Sequence, residues 1–128
     1  METVVPELYF GLDFSKVKQI YLVKKPADLR KGIDGYVSWV QALLDLDPLD
    51  GSLFLFTNRS KNKIKGVLHD GNGFWLVYKR LARSSVLWPT SCDETEYMKI
   101  DTKQLTALLS GMSIVPQQDF LPKTYKYV

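Results

Sequence analysis

Between Leu53 and Leu81 short apolar runs alternate with tight polar turns. Leu53-Phe54-Leu55-Phe56 is followed by the polar Thr57 to Asn62, and then by Lys63-Ile64-Lys65-Gly66-Val67-Leu68-His69. Asp70-Gly71-Asn72-Gly73 leads into Phe74-Trp75-Leu76-Val77-Tyr78-Lys79-Arg80-Leu81. This pattern predicts three short strands joined by two turns. Asp-Gly between apolar runs is a hairpin signal, because glycine accepts the positive φ such turns need. Aromatic and β-branched side chains suit a pleated, half-buried surface.

Elsewhere the period changes. Residues 1–19 are a lead-in, with Leu8-Tyr9-Phe10 interrupted by Gly11. Ile20-Tyr21-Leu22-Val23 is a β-type run, closed by Lys24-Lys25-Pro26, where proline disfavours helix in the residue before it. From Asp28 to Leu46 the period becomes helical. Leu29, Ile33, Tyr36, Val37, Val40, Leu43 and Leu44 recur at spacings of three and four, with Asp28 as the expected N-cap. Gly32 and Gly35 are costly inside a helix, so either the regular helix starts near Asp34 or another element comes close there. Pro48 and the Asp47/Asp50 cluster stop it. Val86-Leu87-Trp88 reads as a fourth strand of this region and Tyr97-Met98-Lys99-Ile100 as a fifth. Asp101 and Gln104 form a capping box ahead of a helix carrying Leu105, Leu108, Leu109 and Met112, with Gly111 as C-cap.

Segregated strands and helices predict an α+β fold. It is a single domain over residues 1–112, a mainly antiparallel sheet built on the three-strand meander. One long and one C-terminal helix cover one face of it, and an extended C-terminal tail occupies 113–128. Hydrophobic residues at 45% and charged residues at 24% fit a globular chain of 128 residues. A lone cysteine, Cys92, excludes an intramolecular disulfide. With no signal-peptide pattern, that points to a reducing cytoplasmic compartment. No apolar run approaches the roughly 20 residues of a membrane span.

Charge changes the picture more than composition does. From Arg59 to Arg83 there are seven positive side chains and one acid, a net of +6 inside a chain of net +3. The positives are Arg59, Lys61, Lys63, Lys65, Lys79, Arg80 and Arg83, and the acid is Asp70. A basic strip beside an aromatic, here Trp75, suits phosphate contacts with base stacking, provided the register brings Trp75 and Lys79 to the side of Lys63 and Lys65. A solvated hairpin whose lysines suppress edge aggregation accounts for the same residues. Arg30 and Lys31, beside Asp28 and Asp34, form a second basic patch, either anion-binding or a cap with an internal ion pair.

An enzyme needs a constellation, and none is legible. His69 is the only histidine, so no His-based metal set can be built, and no Walker-type glycine loop occurs. Asp28, Asp34, Asp47, Asp50 and Asp70 have the spacing of caps and turns rather than of a two-metal carboxylate site. The chain is therefore read as non-catalytic and without a cofactor.

Several ordered motifs carry a resemblance. They are Pro26-Ala27-Asp28-Leu29-Arg30-Lys31-Gly32-Ile33-Asp34-Gly35, Asp47-Pro48, Gly51-Ser52-Leu53-Phe54-Leu55-Phe56, Asn58-Arg59, Lys63-Ile64-Lys65, Asp70-Gly71-Asn72-Gly73-Phe74-Trp75-Leu76, Tyr78-Lys79-Arg80-Leu81 and Trp88-Pro89. Over about residues 20 to 110 the chain resembles the small TnpB-type accessory protein, encoded by the second open reading frame, of IS-66-type insertion sequences. The resemblance implies a role in DNA transposition beside a separate transposase that carries the catalytic acids. Two partners follow as expectations. One is DNA, held through the basic meander. The alternative is the transposase itself, with this chain a docking module that does not touch DNA.

Overall fold

The computed structural model describes residues 8–9, 12–83, 85–89 and 96–111, and shows a single small α+β domain. A short hairpin, β1 (Leu8–Tyr9) and β2 (Leu12–Asp13), runs through a 3₁₀ turn at Phe14–Lys16 into β3 (Ile20–Val23). Then follow α1 (Ile33–Ser38), β4 (Leu53–Thr57), β5 (Lys63–His69), β6 (Phe74–Arg80), β7 (Tyr97–Ile100) and α2 (Thr102–Leu109). The main sheet has the order β6-β5-β4-β3-β7. Its meander, β4-β5-β6, is antiparallel, as is β3 with β7. Only β3 and β4 are parallel, joined by the crossover through α1.

That crossover settles the layering. β3 and β4 are apolar at every position but Thr57, and all nine residues are buried. Alternation sends Ile20, Leu22, Leu53 and Leu55 to one face, where they pack with Leu105, Leu108 and Leu109 of α2. It sends Tyr21, Val23, Phe54 and Phe56 to the other, against Tyr36 and Val40. The two helices therefore cover opposite faces, not one shared face as the sequence order implied. Each fully buried Leu or Phe contributes about 1.5–3 kcal/mol.

Other expectations also shift. The helix begins at Ile33 with Gly32 as N-cap and no side-chain cap bond, so the glycine alternative of a late start holds. Asp28 is not the cap. It accepts from the backbone N–H of Arg30 instead, two residues on. After Ser38 the helix widens into a π-type turn over Trp39–Leu43, where Leu44 N–H reaches back to the Trp39 carbonyl. It ends with Asp45 at φ 57, before Pro48 is reached. Val86-Leu87-Trp88 is not a strand. Val86 and Trp88 are buried in the α2-side core, Val86 N–H donates to the Lys61 carbonyl, and the Trp88 indole N–H donates to the Val23 carbonyl at 2.9 Å. The capping box is present in full: Gln104 N–H donates to Asp101 Oδ1, and Asp101 N–H donates to Gln104 Oε1. Gly111 follows at φ +88. Met112, Cys92 and the expected tail at 113–128 lie outside the described residues.

Two positions report on this packing. A Cβ on Gly66 would stand 2.8 Å from Leu55 Cδ2 and 2.9 Å from Val77 Cγ2. Those chains close over the bare backbone of β5. Gly66→Ala is expected to cost about 1–3 kcal/mol in urea unfolding by overpacking. Tyr36 is fully buried against Phe56, and its hydroxyl has no hydrogen-bond partner. Burial, and then the Asp28 carboxylate, push its phenol up from 10.0 to about 12. A raised folded value means its contribution is intact below pH 10 and is lost as pH climbs toward 12. Tyr36→Phe removes the orphaned hydroxyl. At pH 7 its stability is expected to be unchanged or up to about 1 kcal/mol higher, with a smaller alkaline loss by denaturant titration.

Candidate nucleic-acid interface

The antiparallel register of β5 and β6 decides which side chains share a face. Lys63 lies opposite Arg80, Lys65 opposite Tyr78, Val67 opposite Leu76 and His69 opposite Phe74. These form the face covered by α1. Trp75 and Lys79 lie opposite Leu68 and Ile64, on the face covered by α2. The register thus separates Trp75 and Lys79 from Lys63 and Lys65, and the condition for a joint strip is not met. Trp75 is held elsewhere: its indole N–H donates to Asp70 Oδ2 at 2.7 Å, which keeps the Asp70 carboxyl below its usual range. Lys79 Nζ donates to the Leu109 carbonyl at 3.1 Å, at the C-terminal end of α2 where a cation is favoured. His69 Nδ1 accepts from Gly71 N–H, and its ring meets Phe74 edge-on.

The α1-side face carries a basic cleft of about 450 Å³, lined by Ala27, Asp28, Leu29, Arg30, Asn58, Lys63, Lys65 and Tyr78. The segment ahead of α1 forms one wall and β5–β6 the other. Two bonds fix this arrangement: Ala27 N–H donates to the Thr57 carbonyl at 2.8 Å, and Lys65 Nζ to the Leu29 carbonyl at 2.6 Å. Lys65 also lies 5.2 Å from the Tyr78 ring centroid, within cation–π range. At the floor Asn58 orders the turn, its Oδ1 accepting from Asn62 N–H and Lys63 N–H. This places Arg59 and Lys61 in the turn at the same end of the sheet as Lys63, Arg80 and Arg83.

Arg30 reaches the cleft from the far wall. Its guanidinium is paired bidentately with Asp28, Nε to Oδ1 at 3.0 Å and Nη2 to Oδ2 at 2.9 Å. That pairing holds the Asp28 carboxyl far below the usual carboxylate range. Lys31 does not line the cleft. Its stem folds back over the first turn of α1, its Cβ 2.9 Å from where a Gly35 Cβ would stand. Arg59, Lys61, Lys63, Arg80 and Arg83 make no ion pair among the described residues. Lys63 and Arg80 confront each other directly across two strands, a like-charge pair that costs stability unless an anion lies between them.

Three of the aspartates considered as metal ligands serve the backbone: Asp28 accepts from Arg30 N–H, Asp47 from Leu49 N–H and Asp50 from Ser52 N–H. Among the described residues no three His, Cys, Asp or Glu side chains converge on a metal site. No described helix is long and apolar enough to cross a membrane.

The model of the family described as "IS66 Orf2 like protein" matches residues 18–119. The chain belongs to that family. This IS66 Orf2-like protein is 36% identical over 105 residues to "Uncharacterized protein y4hO" of Sinorhizobium fredii (strain NBRC 101917 / NGR234), covering 81% of this chain and 90% of the relative. It is 26% identical over 98 residues to "Uncharacterized protein y4jC" of the same strain, covering 77% and 82%. No solved structure matches. Family membership makes it a TnpB-type accessory protein associated with transposition of an insertion sequence, and the family is not a known catalytic one.

Within the cleft of this IS66 Orf2-like protein, Lys65 and Lys63 differ in kind. Lys65→Ala leaves the Leu29 carbonyl unbonded and uncovers Tyr78, so it is expected to lower unfolding stability by about 1–2 kcal/mol. Lys63→Ala removes a half-buried charge set opposite Arg80, and thermal melts are expected to show a change within about 0.5 kcal/mol or a gain.

Proposed function

We propose that this protein is a non-catalytic DNA-binding accessory factor of transposition. The observation that carries the reading is the confrontation of Lys63 with Arg80, neither of them ion-paired among the described residues, with Lys63 and Arg30 lining one cleft whose Asp28 is already paired. Such a surface is relieved by phosphates. Arg59, Lys61, Lys63, Arg80 and Arg83 contact the backbone of the duplex, and Arg30 exchanges Asp28 for a phosphate oxygen. Lys65 and Tyr78 shape the cleft rather than supply its free charge. Lys79, Lys31 and Trp75 drop out of the contact set, since each is held away from the cleft. Phosphate contacts position a protein without reading sequence, so binding is nearly indifferent to sequence.

Fluorescence anisotropy with a short labelled duplex tests this. If these six side chains neutralise about five to six phosphates, log K falls against log salt with a slope of about −4.5 to −5.5. Lys63→Glu with Arg80→Glu is expected to weaken binding at least tenfold and flatten that slope, while Lys79→Ala leaves both near wild type. Absence of binding to any duplex at low salt rules the reading out and leaves the docking alternative, in which the same charges steer an acidic surface of the transposase.

A further inference from the structure

β6 ends the sheet, and its outer edge is open among the described residues. Natural edge strands are shortened, bulged, broken by proline or charged along their length. β6 has none of these protections. It runs seven residues without proline or bulge, in unbroken register with β5. Trp75, Leu76 and Tyr78 are 52%, 37% and 51% exposed, and its charges, Lys79 and Arg80, gather at one end.

The direction of the free hydrogen-bonding groups follows from two backbone bonds that flank the β5–β6 pairing. Leu81 N–H donates to the Asn62 carbonyl and Asp70 N–H to the Gly73 carbonyl. Antiparallel pairs alternate between bonded and non-bonded, so Trp75, Val77 and Lys79 turn their backbone groups toward β5. Phe74, Leu76, Tyr78 and Arg80 turn theirs outward. This outward set is symmetric about Val77. An antiparallel second copy of β6, centred on Val77, matches all four residues with all four: Leu76 with Tyr78, and Phe74 with Arg80. The charge distribution favours the same arrangement. Antiparallel pairing puts each Arg80 beside an aromatic ring and keeps the two guanidinium-bearing positions about 20 Å apart. Parallel pairing would stack them.

We propose that β6 is a self-pairing edge, through which two copies of this chain form a continuous sheet about a two-fold axis at Val77. The axis is perpendicular to the sheet, so both basic clefts lie on one side of the dimer. The pairing does not rest on the DNA reading.

The test is sedimentation velocity of the full chain, free of nucleic acid, from low to high micromolar concentration, with circular dichroism to confirm that each variant is folded. The native chain is expected to be a dimer. Leu76→Lys with Tyr78→Lys sets like charges opposite one another at both pairs and is expected to give a folded monomer. Leu76→Lys with Tyr78→Glu sets opposite charges there and is expected to restore the dimer. In a Cys92→Ser background, Val77→Cys lies at a non-bonded pair with Cα atoms about 4.5 Å apart and should cross-link on oxidation. Trp75→Cys is about 14 Å from its own counterpart and should not. A native chain that is monomeric at every concentration, including one whose residues beyond Gly111 cover this edge, overturns the proposal. So does a folded charge-swapped variant that stays monomeric, or cross-linking at Trp75→Cys as efficient as at Val77→Cys.

Discussion

β3 and β4 present apolar side chains on both faces, and a strand pair of that kind cannot be satisfied by one covering layer. Ile20, Leu22, Leu53 and Leu55 need cover on one side; Tyr21, Val23, Phe54 and Phe56 need it on the other. The crossover that makes these strands parallel carries α1 over the second face. β7 then brings α2 to the first, its first turn closed by the Asp101–Gln104 capping box. The meander hangs from this pair as an outward extension, progressively less covered from β4 to β6. Its burial gradient makes β4 core, β5 a half-and-half strand and β6 a surface.

That gradient explains why charge accumulates where it does. On β5 the α2-side positions Ile64, Gly66 and Leu68 are buried, while on the α1 side Lys63 and Lys65 are only half-buried. Lys65 is committed to structure, bonded to the Leu29 carbonyl and lying near Tyr78. Lys63 and Arg80 are not. A fold under selection for stability alone would place a carboxylate across from one of them, since opposite charges at cross-strand positions stabilise and like charges do the reverse. Asp28, the acid that lines the cleft, is engaged by Arg30.

Much of this was legible in the chain, for reasons specific to each element. Asp70-Gly71 marked the hairpin because Gly71 takes φ +111. Asp101 and Gln104 marked a helix start because both reciprocal bonds are local in sequence. The three-and-four spacing found α1 but not its first residue. A short aspartate side chain can cap a helix or bond two residues ahead, and at Asp28 the second option prevailed, with Arg30 adding its guanidinium. The face covered by each helix was hidden, because a continuous apolar run such as Leu53 to Phe56 has no polar side to orient it. The segment from Val86 to Trp88 shows the alternation of a strand, buried, exposed, buried, yet its bonds go to one carbonyl through a backbone N–H and to another through an indole. The basic site was half legible. Each lysine's face followed from period two, but which residues of β6 joined Lys63 depended on turn register, and that put Trp75 and Lys79 behind the sheet.

The pairing of β3 with β7 has a consequence for how the chain comes off the ribosome. Gln19 donates to the Ile100 carbonyl across 81 residues, and the whole β3–β7 ladder spans a comparable loop. Until β7 emerges, about 80 residues after β3, the nascent chain holds β3 with one flank of its amides and carbonyls unmet and its Ile20 and Leu22 side without α2. Completion of the domain thus waits on a segment made long after β3, and the interval between the two is when chaperone capture has the most to act on.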